Sequence, residues 1–342
     1  MAGLRVLGVL PGFFGPLAIF FVAVPGLVHA QTAGERLYST CAAGAQGHQG
    51  LAGRCADAAL AVEALEAGLG LLMTAGGPVP ASPSTAGRRL STQPRVVVDA
   101  GVGWASFRHP DLSRAPVNGA LEDRRSFAFG PRVTAAIGLF EGFSPAPGFG
   151  GVLALDAVAT AQLLRLPGSG GFSGSVAGWG GGFRVGVMRE SFSLPGVTLS
   201  AMHYRMGGVR NGIPESSGGE ATIGPRATSY RAIVGKDLLT VGVSGGVGWD
   251  HYGGNGRIAA SAPLNPSLPG SPAVTGNAGP EELEMRRRYL FLGANFTWVV
   301  AQAAAEIVWA DSASPAASLE GTGPYRPGER ELQGTFSVRV TF

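Results

Sequence analysis

The chain has 342 residues, enough for one large domain or two small ones, and 14% of them are charged, against about 25% in ordinary soluble domains. Its formal charge of +3 is too small to imply nucleic acid, and with Lys236 the single lysine the basic balance rests on arginines scattered along the sequence. Glycine contributes 56 residues with no three-residue period, which excludes collagen.

Arg5 is the only charge before Glu35, and Val6 to Val28 is nearly all apolar, ending Val28-His29-Ala30 before Gln31. A basic start, an apolar run and small residues at the cleavage position predict a secretory signal peptide over residues 1–30. A membrane anchor is the alternative, but Pro11, Pro16 and Pro25 make this stretch a poor spanning helix. The mature chain is expected to begin near Gln31, outside the cytoplasm, and no later run is long and apolar enough for a second transmembrane helix.

Residues 31–94 form the next unit. Cys41 and Cys55 in an oxidising compartment predict a disulfide closing a short loop. A metal site is not expected, because only His48 lies between them. From Cys55 to Ala67 the sequence is rich in helix formers, with Leu60, Leu65, Leu69 and Leu72 on one face, and Gly76-Gly77-Pro78 stops the helix. Residues 78–94, rich in Pro, Ser and Thr, read as a linker.

From Arg95 the pattern changes to strict alternation, as in Val96, Val98, Ala100, Val102 and Trp104 interleaved with Val97, Asp99, Gly101, Gly103 and Ala105. About ten such segments follow, at roughly 95–107, 126–140, 150–165, 178–190, 196–205, 228–236, 239–251, 286–298, 301–310 and 331–342. Most exceed the usual five or six residues of globular strands and reach the about 9–11 needed to cross a bilayer. Long links (108–125, 166–177, 206–227, 252–285, 311–330) alternate with short ones, as expected when alternate hairpins face opposite sides of a membrane. The expected fold is all-β, a transmembrane antiparallel barrel of about ten strands over residues 95–342, with eight or twelve as alternatives.

The chain ends Phe336-Ser337-Val338-Arg339-Val340-Thr341-Phe342, with apolar residues at every second position and an aromatic residue last. Phe336, Val338, Val340 and Phe342 resemble the terminal strand of bacterial outer-membrane β-barrel proteins. The resemblance implies recognition by the barrel-assembly machinery and residence in the outer membrane among its lipids; it implies no activity.

Placing the more apolar set of each strand outward puts Val133, Ile137, Phe183, Val243, Leu292 and Phe296 against lipid, with Trp104, Trp249, Trp298 and Trp309 as interfacial girdle residues. The inward set then holds Asp99, Arg132, Asp156, Arg184, Arg231, Asp250, Glu306 and Arg339. A charge facing lipid near the midplane costs about 2–4 kcal/mol, so these eight are expected inside, paired as an ion network that closes the lumen. Inward glycines (Gly101, Gly103, Gly130, Gly186, Gly246, Gly293) would leave room for the arginines. A lumen so filled has little space for a helix, so residues 31–94 are expected in the periplasm rather than inside the barrel.

Chemistry is sparse. Surface proteases of the omptin type resemble this chain in strand number and use Asp and His at the outer rim. His109-Pro110-Asp111 and Asp250-His251 lie at that level, but Asp250 and His251 are adjacent on a strand and point to opposite faces. His203 lacks a convincing nucleophile for a lipid-modifying site. Arg286, Arg287 and Arg288 are candidates for lipid-headgroup phosphates, or for pairing with Glu281, Glu282 and Glu284. The expected function is non-enzymatic and without a cofactor: a structural or surface-interaction barrel that binds an extracellular ligand through its long loops. A small-solute pore and an outer-rim hydrolase are the alternatives.

Overall fold

A computed structural model describes residues 32–44, 47–89, 93–112, 123–146, 149–166, 171–172, 175–212, 218–268, 270–311 and 331–342. The expected signal peptide and most of the 311–330 link lie outside the described residues. No described helix is long and apolar enough to cross a membrane.

Ten long strands form the wall: β1 (Val96–Pro110), β2 (Asp123–Phe140), β3 (Ala154–Arg165), β4 (Ser175–Met188), β5 (Gly196–Met206), β6 (Gly219–Leu238), β7 (Val241–Pro263), β8 (Ala273–Trp298), β9 (Ala301–Ala310) and β10 (Glu331–Thr341). Each pairs antiparallel with its sequence neighbours. The last strand closes on the first, with Arg339 opposite Asp99 and Val340 opposite Val98, so the fold is a closed antiparallel ten-stranded barrel. Closure removes the free edges that an open sheet would expose.

β6, β7 and β8 are 20, 23 and 26 residues long, far more than a bilayer crossing needs. Stretches expected to be loops, parts of 206–227 and 252–285, continue the strands past the apolar belt. Their outward faces meet no hydrocarbon there, so polar and small residues replace the alternating hydrophobes and the sequence signature fades. Inward, Ala221, Ile223, Ile258 and Ala260 stay apolar and buried.

The outward surface below that extension is an apolar band. Val133, Phe183, Val243, Leu290, Leu292 and Phe296 are exposed there, far beyond the scattered hydrophobes of a soluble surface. Trp104, Phe129, Trp179, Tyr230, Trp249 and Trp309 face outward toward the long-loop end, and Trp298 lies at the short-turn end of β8. Because β1 and β7 run on beyond them, Trp104 and Trp249 mark the edge of the belt, whereas Trp309 lies next to the end of β9.

Two helices precede the wall. α1 (Ala33–Ala43) begins with a capping box in which the Thr32 hydroxyl accepts the amide of Glu35 and the Glu35 carboxylate accepts the amide of Thr32. α2 (Gln49–Met73) starts where His48 Nδ1 accepts the amide of Leu51. A Cys41–Cys55 disulfide joins the two. From Cys55 to Met73 every residue of α2 is buried, against β1, β6, β7 and β8.

This corrects the expected periplasmic placement: α2 lies in the bore. The physical reason is that α2 is slender. Alanine and glycine fill most positions between its leucines, so apolar residues lie on every side of it, with Asp57, Glu63 and Glu66 buried among them. A Cβ on Gly68 would strike the Phe107 ring of β1, and one on Gly70 would lie 2.5 Å from the Tyr252 ring of β7. α1 and the start of α2 sit at the long-loop end, where Arg36 pairs with Glu281 at 2.8 Å and His48 Nε2 lies 3.3 Å from the carbonyl of Leu264.

Candidate functional site: the occupied bore

α2 ends at Thr74, and Gly76 and Gly77 take left-handed conformations (φ +65° and +56°) that turn the chain down the bore. Residues 74–87 then run as irregular backbone through the belt of lumenal charges, and the chain leaves at the short-turn end. There Val96 and Phe342 exchange backbone hydrogen bonds of 3.2 and 2.8 Å.

The structure places all eight lumenal charges on the inner face and buried. Their partners differ from the expected mutual network. Two pairs meet directly: Arg231 with Glu306 at 2.7 Å and Arg184 with Asp156 at 3.6 Å. Most of the remaining hydrogen bonding is directed at the main chain of 74–87, although Arg339 also donates to Gln302. Arg184 donates to the carbonyls of Ser82 and Ser84, both at 2.8 Å. Arg339 donates to Pro80 O at 3.1 Å, and Arg132 donates to Ala75 O. Asp156 accepts the amides of Ala86 (2.9 Å) and Gly87 (3.4 Å), and Glu306 accepts that of Ala81 (3.4 Å).

Neutral side chains complete the cradle. Thr198 donates to Pro83 O at 2.6 Å and Asn295 to Ala81 O at 3.0 Å, while Asp250 accepts the Thr74 hydroxyl at 2.7 Å and that of Tyr252 at 2.8 Å. Asp99 accepts the Ser337 hydroxyl at 2.8 Å and stands opposite Arg339 across the barrel seam. Arg231 lies 3.9 Å over the Phe291 ring, which supplies a cation–π contact in a dry setting.

An irregular segment cannot satisfy its own backbone groups as a helix or sheet does, and each one left unpaired away from water costs about 1–3 kcal/mol. The wall supplies what it lacks, cations for carbonyls and carboxylates for amides. At the end of α2 the arrangement gains further, since Arg132 meets the negative pole of the helix dipole. The linker expected over 78–94 is thus, up to Gly87, a lining of the bore.

The inward glycines also have another role than making room for arginines. A Cβ on Gly103 would lie 2.9 Å from Ala75 Cβ, and one on Gly293 would lie 2.9 Å from Ala81 Cβ. A Cβ on Gly186 would come 3.3 Å from Thr85 Oγ1, and at Gly138 it would overlap the carbonyl oxygen of Gly87. These wall glycines admit the threaded segment.

The rim candidates do not converge. Asp250 faces the bore and His251 is exposed on the outer face. Asp111 pairs with Arg124 at 2.8 Å. His109 Nε2 lies 2.8 Å from Ser126 Oγ, and its Nδ1 2.9 Å from Pro110 O. That orientation would suit a general base, a contact the sequence reading missed. With His109 at 0% and Ser126 at 3% exposure, the pair is sealed against substrate. His203 faces outward, 3.0 Å from Thr228 Oγ1. Alternation divides the arginine triplet: Arg286 and Arg288 are exposed outward, while Arg287 turns inward to Glu331 at 2.5 Å. Among the described residues no acid, histidine or cysteine cluster fit for a metal occurs.

No protein-family model and no curated protein matches the chain. Among solved structures, it is similar to the translocator domain of the autotransporter NalP from Neisseria meningitidis, at 12% identity and TM-score 0.32, over 73% of this chain and 88% of that one. It is also similar to Ail, the attachment invasion locus protein of Yersinia pestis (9%, TM-score 0.29, 73% and 99%). A third is the transport unit of the autotransporter AIDA-I from Escherichia coli (7%, TM-score 0.34, 74% and 92%). The ring of register pairs, not these weak likenesses, carries the fold.

Proposed function

We propose that this protein is a non-enzymatic outer-membrane barrel that plugs its own bore and acts at the cell surface through its long loops and the α1–α2 hairpin. Its apolar belt and aromatic edge suit a bilayer, and its terminal Phe336, Val338, Val340 and Phe342 suit delivery by the barrel-assembly machinery. On this reading the long-loop end faces outward, so the disulfide-linked hairpin caps the outer mouth and the short turns face the periplasm. Its extracellular ligand would meet that cap and the extended hairpins of β6–β8.

The observation that carries the reading is the bore filled by residues 74–87 and clamped through their backbone. Planar-bilayer recording tests it. The intact chain should conduct negligibly, whereas Arg184→Met, which loosens the clamp, should show openings. A steady open-channel current from the intact chain would favour the small-solute pore instead. One observation supports a gated form of that alternative: the clamp is polar and bound to main chain, so it can be released without exposing a hydrophobic core.

A further inference from the structure

Just beyond the aromatic edge, the outer wall carries arginine on strand after strand. Arg108 and Arg125 lie two outward positions past Trp104 and Phe129, Arg165 lies one past Leu163, and Arg226 lies two past Tyr230. Arg205, Arg286 and Arg288 stand on β5 and β8 at the same margin. Two arginine pairs are directly opposed across neighbouring strands, Arg108 with Arg125 and Arg205 with Arg226, and Arg286 stands opposite His251. Like charges placed directly opposite on one face repel, and a sheet normally avoids them.

The acids here are unevenly spread. Glu282 pairs with Arg226, and Glu284 and Asp311 face outward on the β8–β9 side. Among the described residues of β3–β5, no outward carboxylate accompanies Arg165 and Arg205. The opposite rim differs, since Arg189 there pairs with Glu141 at 3.1 Å and Lys236 donates to two backbone carbonyls. Below the arginines the wall is suited to acyl chains. Trp104 stacks on Phe127 with centroids 5.9 Å apart, and a cleft of about 350 Å³ opens between Trp249, Leu290, Trp309 and Arg288.

We propose that this collar is a binding site for phosphorylated lipid of the surrounding leaflet, with phosphate oxygens bridging the opposed arginines and acyl chains lying on the aromatic edge. Arginine's fork of donors matches a phosphate group, and one phosphate between two guanidinium groups turns their repulsion into attraction. The proposal rests on the membrane-barrel reading and adds a ligand class to it.

The test uses the full chain in phosphatidylcholine nanodiscs with and without phosphatidic acid, with native mass spectrometry counting the lipid retained after detergent exchange. The chain should keep about tenfold more phosphatidic acid than the Arg125→Gln/Arg165→Gln/Arg205→Gln variant, and inorganic phosphate should not displace it. Equal retention by the variant, or displacement by inorganic phosphate, would overturn the lipid site while leaving the barrel reading intact. Failure of the chain to enter neutral nanodiscs would overturn the membrane reading and the collar together.

Discussion

The hydroxyl of Thr74, where α2 ends, lies 2.7 Å from a carboxylate oxygen of Asp250 on the wall, and the Tyr252 hydroxyl reaches the same oxygen at 2.8 Å. The helix is thus tied to the barrel at the level where its last carbonyls need partners. Replacing Thr74 with Val removes one donor from a buried carboxylate. It should cost about 1–3 kcal/mol of plug stability, read as earlier loss of protection of residues 70–77 in hydrogen exchange while the strands stay protected. Unchanged exchange across that segment would show that the tie carries no load.

Gly138 is the tightest passage for the threaded chain, because a side chain there would occupy the place of the Gly87 carbonyl. Gly138→Val should still form a barrel but dislodge residues 84–88, at an overpacking cost of about 1–3 kcal/mol. Protease added from the short-turn side should then cut near Thr85, where it spares the parent. A variant as resistant as the parent would refute the threading at this point.

The Cys41–Cys55 bridge spans 14 residues, so chain entropy assigns it about 3 kcal/mol of hairpin stability. Cys41→Ser/Cys55→Ser should expose α1 to protease at the long-loop end and leave the barrel's heat-modified gel shift unchanged. A matching fall in barrel stability would mean that hairpin and wall melt as one unit.

Asp57 lies in the part of α2 that runs above the aromatic edge, beside the outer portion of β6. Burial pushes its carboxyl up from 3.8 to about 7, with Arg54 pulling partly the other way. The folded hairpin therefore holds a proton that the unfolded chain releases across that interval. Its stabilising effect is complete below the lower value and is lost as pH rises toward the upper one. Hairpin protease resistance should fall between about pH 4 and pH 7, and Asp57→Asn should flatten the dependence. A flat profile in the parent would disprove the buried, protonated acid.

Period-two alternation made the wall legible, because lipid and lumen impose opposite demands on successive residues such as Val133 and Thr134 or Val243 and Ser244. The inward position of Arg184 and Asp156 followed from the same rule. Their pairing with each other followed too, but their main-chain partners did not. A residue such as Pro80 or Ser82 bears no mark of lying in a bore, since the wall grips its carbonyl and not its side chain. The clue was available in α2, where Ala56, Ala58, Ala59 and Ala61 carry small apolar residues onto the faces away from the leucines. Leu60, Leu65, Leu69 and Leu72 taken alone suggest one face of an amphipathic helix, which masks that clue. Gly103, Gly186 and Gly293 pointed the same way once a second chain was allowed beside them.

The covalent hairpin also gives the molecule a mechanical direction. The bore is filled by one helix, about 10–12 Å across, and two helices joined side by side would need roughly twice that width. While Cys41 and Cys55 stay linked, the hairpin is too wide to follow residues 74–87 through the bore toward the turns. The bridge works as a toggle on a cord whose other end is made fast in the wall at Val96.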